Sequence, residues 1–254
     1  MPAPTRPARS APGVQPGTAL LAGRLVTYTV RRSPRARRVS LRVLPAAGLE
    51  VVVPARGRLP DIAVVLRQHT PWILRTLDRF APVEQPPLGD GASMPYRGDT
   101  YRLQVAAAVI PRPVVRLDEA SRTFSVRHDP AQHALAPILA RWYREEARRV
   151  LTARADYFAA QLGVRYQRLA IRDPRSRWGS CSAAGNLNFS WRLLLAPPAV
   201  LDYVVIHELA HRHELNHSAR FWAIVAAHCP TYRAERAWLR ARGGALLTFL
   251  GTPA

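Results

Sequence analysis

The chain has 254 residues, 48% of them hydrophobic, enough for one large domain or two small ones around a buried core, which excludes a fibrous or disordered polymer. A net charge of +20 ordinarily suggests a polyanionic partner such as nucleic acid. Two features favour a merely solvated basic surface: there is no lysine, so every basic side chain is arginine, and half of the excess falls in residues 1–60, where eleven arginines face only Glu50. No apolar run approaches the roughly 18 residues of a membrane span, and the opening MPAPTRPARSAPGVQPGTALLAG lacks the hydrophobic middle of a signal peptide. The expectation is a soluble cytoplasmic protein with no membrane partner. Two cysteines, Cys181 and Cys229, are too few for a disulfide framework and fit a reducing compartment.

In chain order, residues 1–22 are rich in Pro, Ala and Gly without periodicity and read as a disordered tail. "RLVTYTVRR", "RRVSLRVLP" and "GLEVVVPA" have the β-branched clustering of short antiparallel strands. "PDIAVVLRQHTPWILRTLDRF" changes to helical spacing, with Pro71 placed to kink or split the helix. "VEQPPLGDGAS" reads as a loop, and "TYRLQVAA", "RPVVRLD" and "RTFSVRH" as further strands, so residues 23–130 form a β-rich subdomain.

From Gln132 to Leu162 the pattern is helical, with Leu135, Ile138, Leu139, Trp142 and Tyr143 on one face and Gly163 as a stop. A strand "VRYQRLAI", a polar loop "RDPRSRWGSCSAAG" and a strand-like "NLNFSWRLLL" come next. Pro197 and Pro198 open a helix expected to run from about Ala199 to Leu215, Ser218 is placed to cap another, and "PTYRAERAWLRA" supplies the last. This gives a second domain over 131–243 and a tail over 244–254. No internal repeat is visible.

The chemistry concentrates in "YVVIHELAHRHELNHSARFW", which holds four of the eight histidines. His207, Glu208 and His211 form H-E-x-x-H. Residues four apart on a helix differ by about 40° around its axis, so the two imidazoles converge on one tetrahedral ion. Glu208 points slightly aside, as a general base for a water activated by that ion must. A third ligand is needed. His217 is the leading candidate, although a continuous helix would turn it away by about 240°, so the helix has to end first, and Asn216 tolerates the left-handed conformation of such an ending. Glu235 is the rival, a carboxylate on a later helix. His213 faces away, and Glu214 reads as a hydrogen-bond acceptor for an imidazole N–H.

The run "RSRWGSCSAAGNLNFSWRLLLAPPAVLDYVVIHELAHRHELNHSARFW", Arg175 to Trp222, resembles the YgjP-like metallopeptidases, relatives of the SprT-like zinc proteases, and the likeness extends more loosely from about Arg24 to Gly243. It implies an α+β fold with a zincin-like core, in which a helix and a small antiparallel sheet pack on the H-E-x-x-H helix. It also implies one zinc ion on His207, His211 and His217, with Glu208 catalytic. In that fold the strand Asn186–Trp191 would lie beside the metal helix and pair with an extended substrate. Arg177 would then stand near a developing oxyanion, with Tyr203 and Tyr232 as alternatives; equally, Arg177 pairs with a carboxylate and Trp178 and Trp191 fill the core. Cys181 reads as a free thiol, or as an inhibitory ligand close to the zinc.

Taken together, the sequence points to zinc-dependent hydrolysis of peptide bonds in a protein or peptide substrate. A metal-dependent nucleotide or phosphate hydrolase, suited to the arginines, lacks a Gly-rich phosphate loop and a carboxylate cluster for magnesium. A non-catalytic nucleic-acid-binding module is favoured by charge alone.

Overall fold

A computed structural model describes residues 14–44, 48–56, 61–79, 87–174 and 177–251. The chain divides into two compact units, Met1–Ala81 and Pro82–Ala254. The fold is α+β, and among the described residues no helix is long and apolar enough to cross a membrane.

The first unit holds strands β1 (Val14–Leu21), β2 (Arg24–Ser33), β3 (Ser40–Leu44) and β4 (Gly48–Pro54), then helices α1 (Ile62–Gln68) and α2 (Thr70–Arg79). The sheet order is β1-β2-β4-β3. β1 corrects the expected tail: eight of its residues pair along β2, and residues 1–13 lie outside those described. Pro16 is tolerated because β1 is an edge strand, where a missing N–H breaks no ladder. β2 and β4 run parallel, so the strands are not all antiparallel as expected. Asp61 caps α1 by accepting from Ala63 N and Val64 N, and the helical stretch divides at His69. Pro71 then sits in the first turn of α2, where its absent N–H costs nothing. Leu21, Val26, Val43, Leu49, Val51, Val53, Leu66 and Ile73 form the core of this unit.

The second unit opens with β5 (Ser93–Tyr96), β6 (Asp99–Ala107), β7 (Val114–Asp118) and β8 (Thr123–His128), in sheet order β5-β6-β8-β7. This repeats the first sheet strand for strand: a hairpin, a parallel pair and an antiparallel pair, with a helix after them. Even the hairpin turns match, since Ala22-Gly23 and Arg97-Gly98 both take positive φ at two successive residues, as a two-residue turn between twisted strands requires. A repeat thus exists in the topology although none is visible in the residues.

These four strands belong with the helices that come after them, which moves the boundary from residue 130 to Ala81. The reason is aromatic packing: Tyr96, Tyr101 and Phe124 form an edge-on cluster that meets Trp142 and Tyr143 of helix α3 (Leu135–Leu162). α3 is the spine of the unit. Leu139, Tyr143, Ala147, Leu151 and Ala155 recur every four residues, all fully buried, and Gly163 ends the helix at φ 65°. Next in the chain is a small sheet of β9 (Arg168–Arg172), β10 (Gly179–Cys181) and β11 (Asn186–Ser190), in order β10-β11-β9. It is mixed: β10 pairs antiparallel with β11, and β9 pairs parallel.

Beyond β11 the chain coils into a short 3-10 turn, Trp191–Leu195, rather than continuing as a strand. Helices α4 (Pro198–Ala210), α5 (Ala219–His228) and α6 (Tyr232–Thr248) complete the unit, so the expected tail from residue 244 begins inside a helix. Arg192, 1% exposed, ties the end of this region to the core by donating to Asp173 and to the carbonyls of Phe249 and Gly251. Arg154 of α3 grips Asp202 of α4 through two bonds of 2.6 and 2.8 Å. α4 is thereby clamped between α3 and the small sheet.

Candidate metal centre

α4 is buried nearly all round: Val200, Leu201, Val204, Val205, Ile206, Leu209 and Ala210 are in the core. Pro198 occupies its first turn, where proline is preorganised. His207 and Glu208 lie in its last turn, and His211 is its C-cap with helical backbone angles. The helix therefore stops five residues sooner than expected, and the chain turns through Arg212 and His213, whose N–H groups donate to Leu209 and Ala210. Asn216 is not the left-handed residue of this ending, since it is absent from the positive-φ positions. The reversal is stabilised instead by His213, whose Nε2–H donates to Leu162 O at the end of α3 (2.9 Å). Ser218 then caps α5 by accepting from Phe221 N, which sets His217 immediately ahead of a new helix.

The outcome is that His207, His211 and His217 place one ring nitrogen each within 4.8 Å of one another. His207 Nε2 and His217 Nε2 stand 3.1 Å apart. Among the described residues, neither Glu235 nor Cys181 joins this cluster. His211 Nδ1–H donates to the backbone carbonyl of Glu214 (3.1 Å), which leaves Nε2 as the nitrogen this ring can offer to an ion. It is thus the main chain of Glu214, not its carboxylate, that orients the ring; the carboxylate accepts from Asn216 N. His207 Nδ1 is buried without a hydrogen-bond partner. Burial, the neighbouring imidazoles and Arg236 push the His207 pKa down to about 3, so the ring is neutral, and His217 is lowered by the same kinds of cause.

Three converging imidazoles fit a soft-to-borderline cation. Two ring nitrogens 3.1 Å apart, with lone pairs turned together, repel unless a proton or a metal lies between them. Zinc–nitrogen bonds of about 2.0–2.1 Å in a tetrahedral set give a similar ring-nitrogen spacing. Phe221, fully buried, lies under all three imidazoles with ring centroids 4.9, 4.6 and 4.8 Å away, an apolar floor that keeps water off one side. Trp222 stacks on His217, and Tyr232 on Trp222.

Glu208 points toward β10. The residue is 7% exposed, and burial raises its pKa to about 7, against the pull of the Cys181 backbone N–H and the charge of Arg177. A cation on the imidazoles would lower it again. Gly179 makes this approach feasible: a Cβ there would lie 2.7 Å from both Cγ and Oε1 of Glu208. Arg177 is exposed and acts on Glu208 through charge; it forms no ion pair with a carboxylate among the described residues. It lines a cleft of about 370 Å³ with Gly179, Ser180 and Asn188. Tyr203 is buried beside His207, and Trp178 packs against Gly243 of α6.

One strand assignment is reversed. β11 is the central strand, with both edges occupied by β10 and β9, so it has no edge to offer a substrate. β10, which forms inside the stretch "RDPRSRWGSCSAAG" expected to be a loop, is the edge strand beside α4. Gly179, Phe221, Trp222 and Arg236 escaped the sequence reading, because what they contribute is proximity, and nothing in their local pattern reports it.

The chain also matches known proteins. Residues 37–242 match the family model of the YgjP-like metallopeptidase domain. No curated protein matches the chain. A solved structure, the metallopeptidase zymogen abylysin of Pyrococcus abyssi, is 24% identical over 35% of this chain and 90% of its own, with a TM-score of 0.32. With a family match spanning both units and most of the sequence, the chain belongs to the YgjP-like metallopeptidases.

Proposed function

We propose that the protein is a zinc peptidase that hydrolyses peptide bonds with His207, His211 and His217 as metal ligands and Glu208 as general base. The observation that carries this reading is the convergence of three imidazoles beside a buried carboxylate. Bound zinc supplies Lewis acidity, polarising the scissile carbonyl and acidifying water. Glu208 accepts a proton from the attacking water and returns it to the leaving amine, a shuttle for which a carboxyl held by one backbone N–H and an apolar wall is suited. The free edge of β10 offers main-chain groups to an extended substrate, and Arg177 supplies positive charge at the same side of the carboxylate.

The deciding experiment is Glu208→Gln in zinc-loaded protein. Zinc content should be retained while casein hydrolysis falls by orders of magnitude, because a proton acceptor is lost without a ligand. Loss of zinc together with activity would make Glu208 a ligand or a prop instead. Nucleoside triphosphate hydrolysis and salt-dependent DNA binding, assayed on the same preparation, separate this reading from the phosphate-hydrolase and nucleic-acid alternatives.

A further inference from the structure

A cavity of about 870 Å³ lies away from the histidines, between β7 and the first half of α3. Its volume falls in the range of ligand sites. Its floor is apolar, formed by Ile138 and Trp142 of α3 and Val115 of β7, with prolines at the rims. Apolar side chains here are left in water: Val114 at the mouth is 42% exposed, and Val109, a few residues ahead of it in the chain, 94%. His133 also lines the cavity, with a buried Nδ1 that has no hydrogen-bond partner.

β7 is an edge strand. It pairs with β8 alone, and among the described residues no backbone hydrogen bond reaches its other side. Five residues at about 3.3 Å each give an open edge of about 17 Å. An edge strand alongside a helix, with an apolar trough between, is the arrangement into which an extended peptide adds as a further strand. The alternation of β7 then dictates the guest. Its inward residues Val115 and Leu117 face the core, so alternate guest residues on that face meet Trp142 and Ile138 and must be apolar. The outward residues include Arg116, and Val114 stands opposite Arg127 of β8. Arg112, Arg116 and Arg127 form no ion pair among the described residues, whereas Glu145 at the groove is already taken by Arg141. Asp118 shares the outer face with Arg116, and Arg127 lies beside it on β8, so guest residues on that face meet a net positive charge.

We propose that this groove binds an extended peptide segment of alternating apolar and acidic residues, added as a fifth strand beside β7. The site is separate in residues and chemistry from the metal centre, and its occupant is held rather than cut.

The test is fluorescence anisotropy on the full-length protein, with a labelled nine-residue peptide alternating valine and glutamate. Saturable binding is expected, at least about tenfold weaker for the same peptide with lysine replacing glutamate, and also for one with methylated backbone nitrogens on the pairing edge. Arg116 is exposed, so Arg116→Glu should leave the fold and casein hydrolysis intact while reversing the preference toward the lysine peptide. Absence of binding, equal binding of the two charge patterns, or unchanged affinity in Arg116→Glu would overturn the proposal. So would a concentration-dependent dimer that Arg116→Glu dissolves, because the groove would then belong to a second copy of the chain.

Discussion

Replacing Gly179 by alanine inserts a methyl group where Glu208 now stands. The added carbon would lie 2.7 Å from Cγ and Oε1 and 2.9 Å from Cδ, whereas ordinary contact begins at 3.4 Å, so the carboxylate or the strand has to move by about 0.7 Å. β10 is held by β11 on one side and α4 is packed in the core, so the carboxylate side chain is the part that yields. A catalytic group displaced by about 1 Å loses on the order of 100-fold in rate, equivalent to about 2.7 kcal/mol of transition-state stabilisation. The same crowding should cost about 1–3 kcal/mol of stability. The assay is kcat/KM on a fluorogenic peptide, with zinc content and Tm measured on the same samples. A fall of two orders of magnitude in kcat/KM with zinc retained is the expected result. Wild-type activity in a folded, zinc-loaded Gly179→Ala protein would refute the argument that β10 fixes the carboxylate.

Other perturbations probe different parts of the structure. His217→Ala should empty most of the zinc site and abolish hydrolysis, while Glu235→Ala should keep its metal, as read by metal analysis. Ser218→Ala removes the cap of α5 beside His217; a loss of about 1 kcal/mol is expected in denaturant unfolding, with weaker zinc retention under chelator competition. Leu151→Ala, at a fully buried position of α3, should cost about 2–5 kcal/mol without changing the zinc stoichiometry of the protein that remains folded. Chelation should lower the Tm of the wild type, since a ligand present at about 1,000 times its Kd adds about 4 kcal/mol to the folded state.

What could be read from the residues was what local spacing encodes. H-E-x-x-H on a helix, the need for that helix to end before His217, the cap at Ser218 and the stop at Gly163 are all short-range statements, and the structure has the corresponding elements. The manner of the helix ending was not legible: it depends on His213 reaching Leu162, a partner 51 positions away. β1 was missed because Pro16 and Gly17 suppress the strand signal, and only pairing to β2 rescues it. The order β10-β11-β9 hinges on a parallel pairing across the intervening loop, which no periodicity reports, so the strand with a free edge was misassigned. The doubled four-strand topology shows the same limit from another side, since two stretches can share connections and turn geometry while their side chains have diverged.

The grip of Arg192 on the carbonyls of Phe249 and Gly251 has a consequence for the order of events during synthesis. His207, His211 and His217 are synthesised before the groups that complete the core behind them. Gly251 comes after His217 by about 34 residues, which at about 5–20 residues per second is a delay of about 2–7 s. Throughout that interval a guanidinium destined for the interior lacks two of its acceptors and favours staying in water. Burial of Arg192 with its acceptors satisfied therefore waits for the end of α6 to be in place, which ties closure of the core behind α4 to residues made after it.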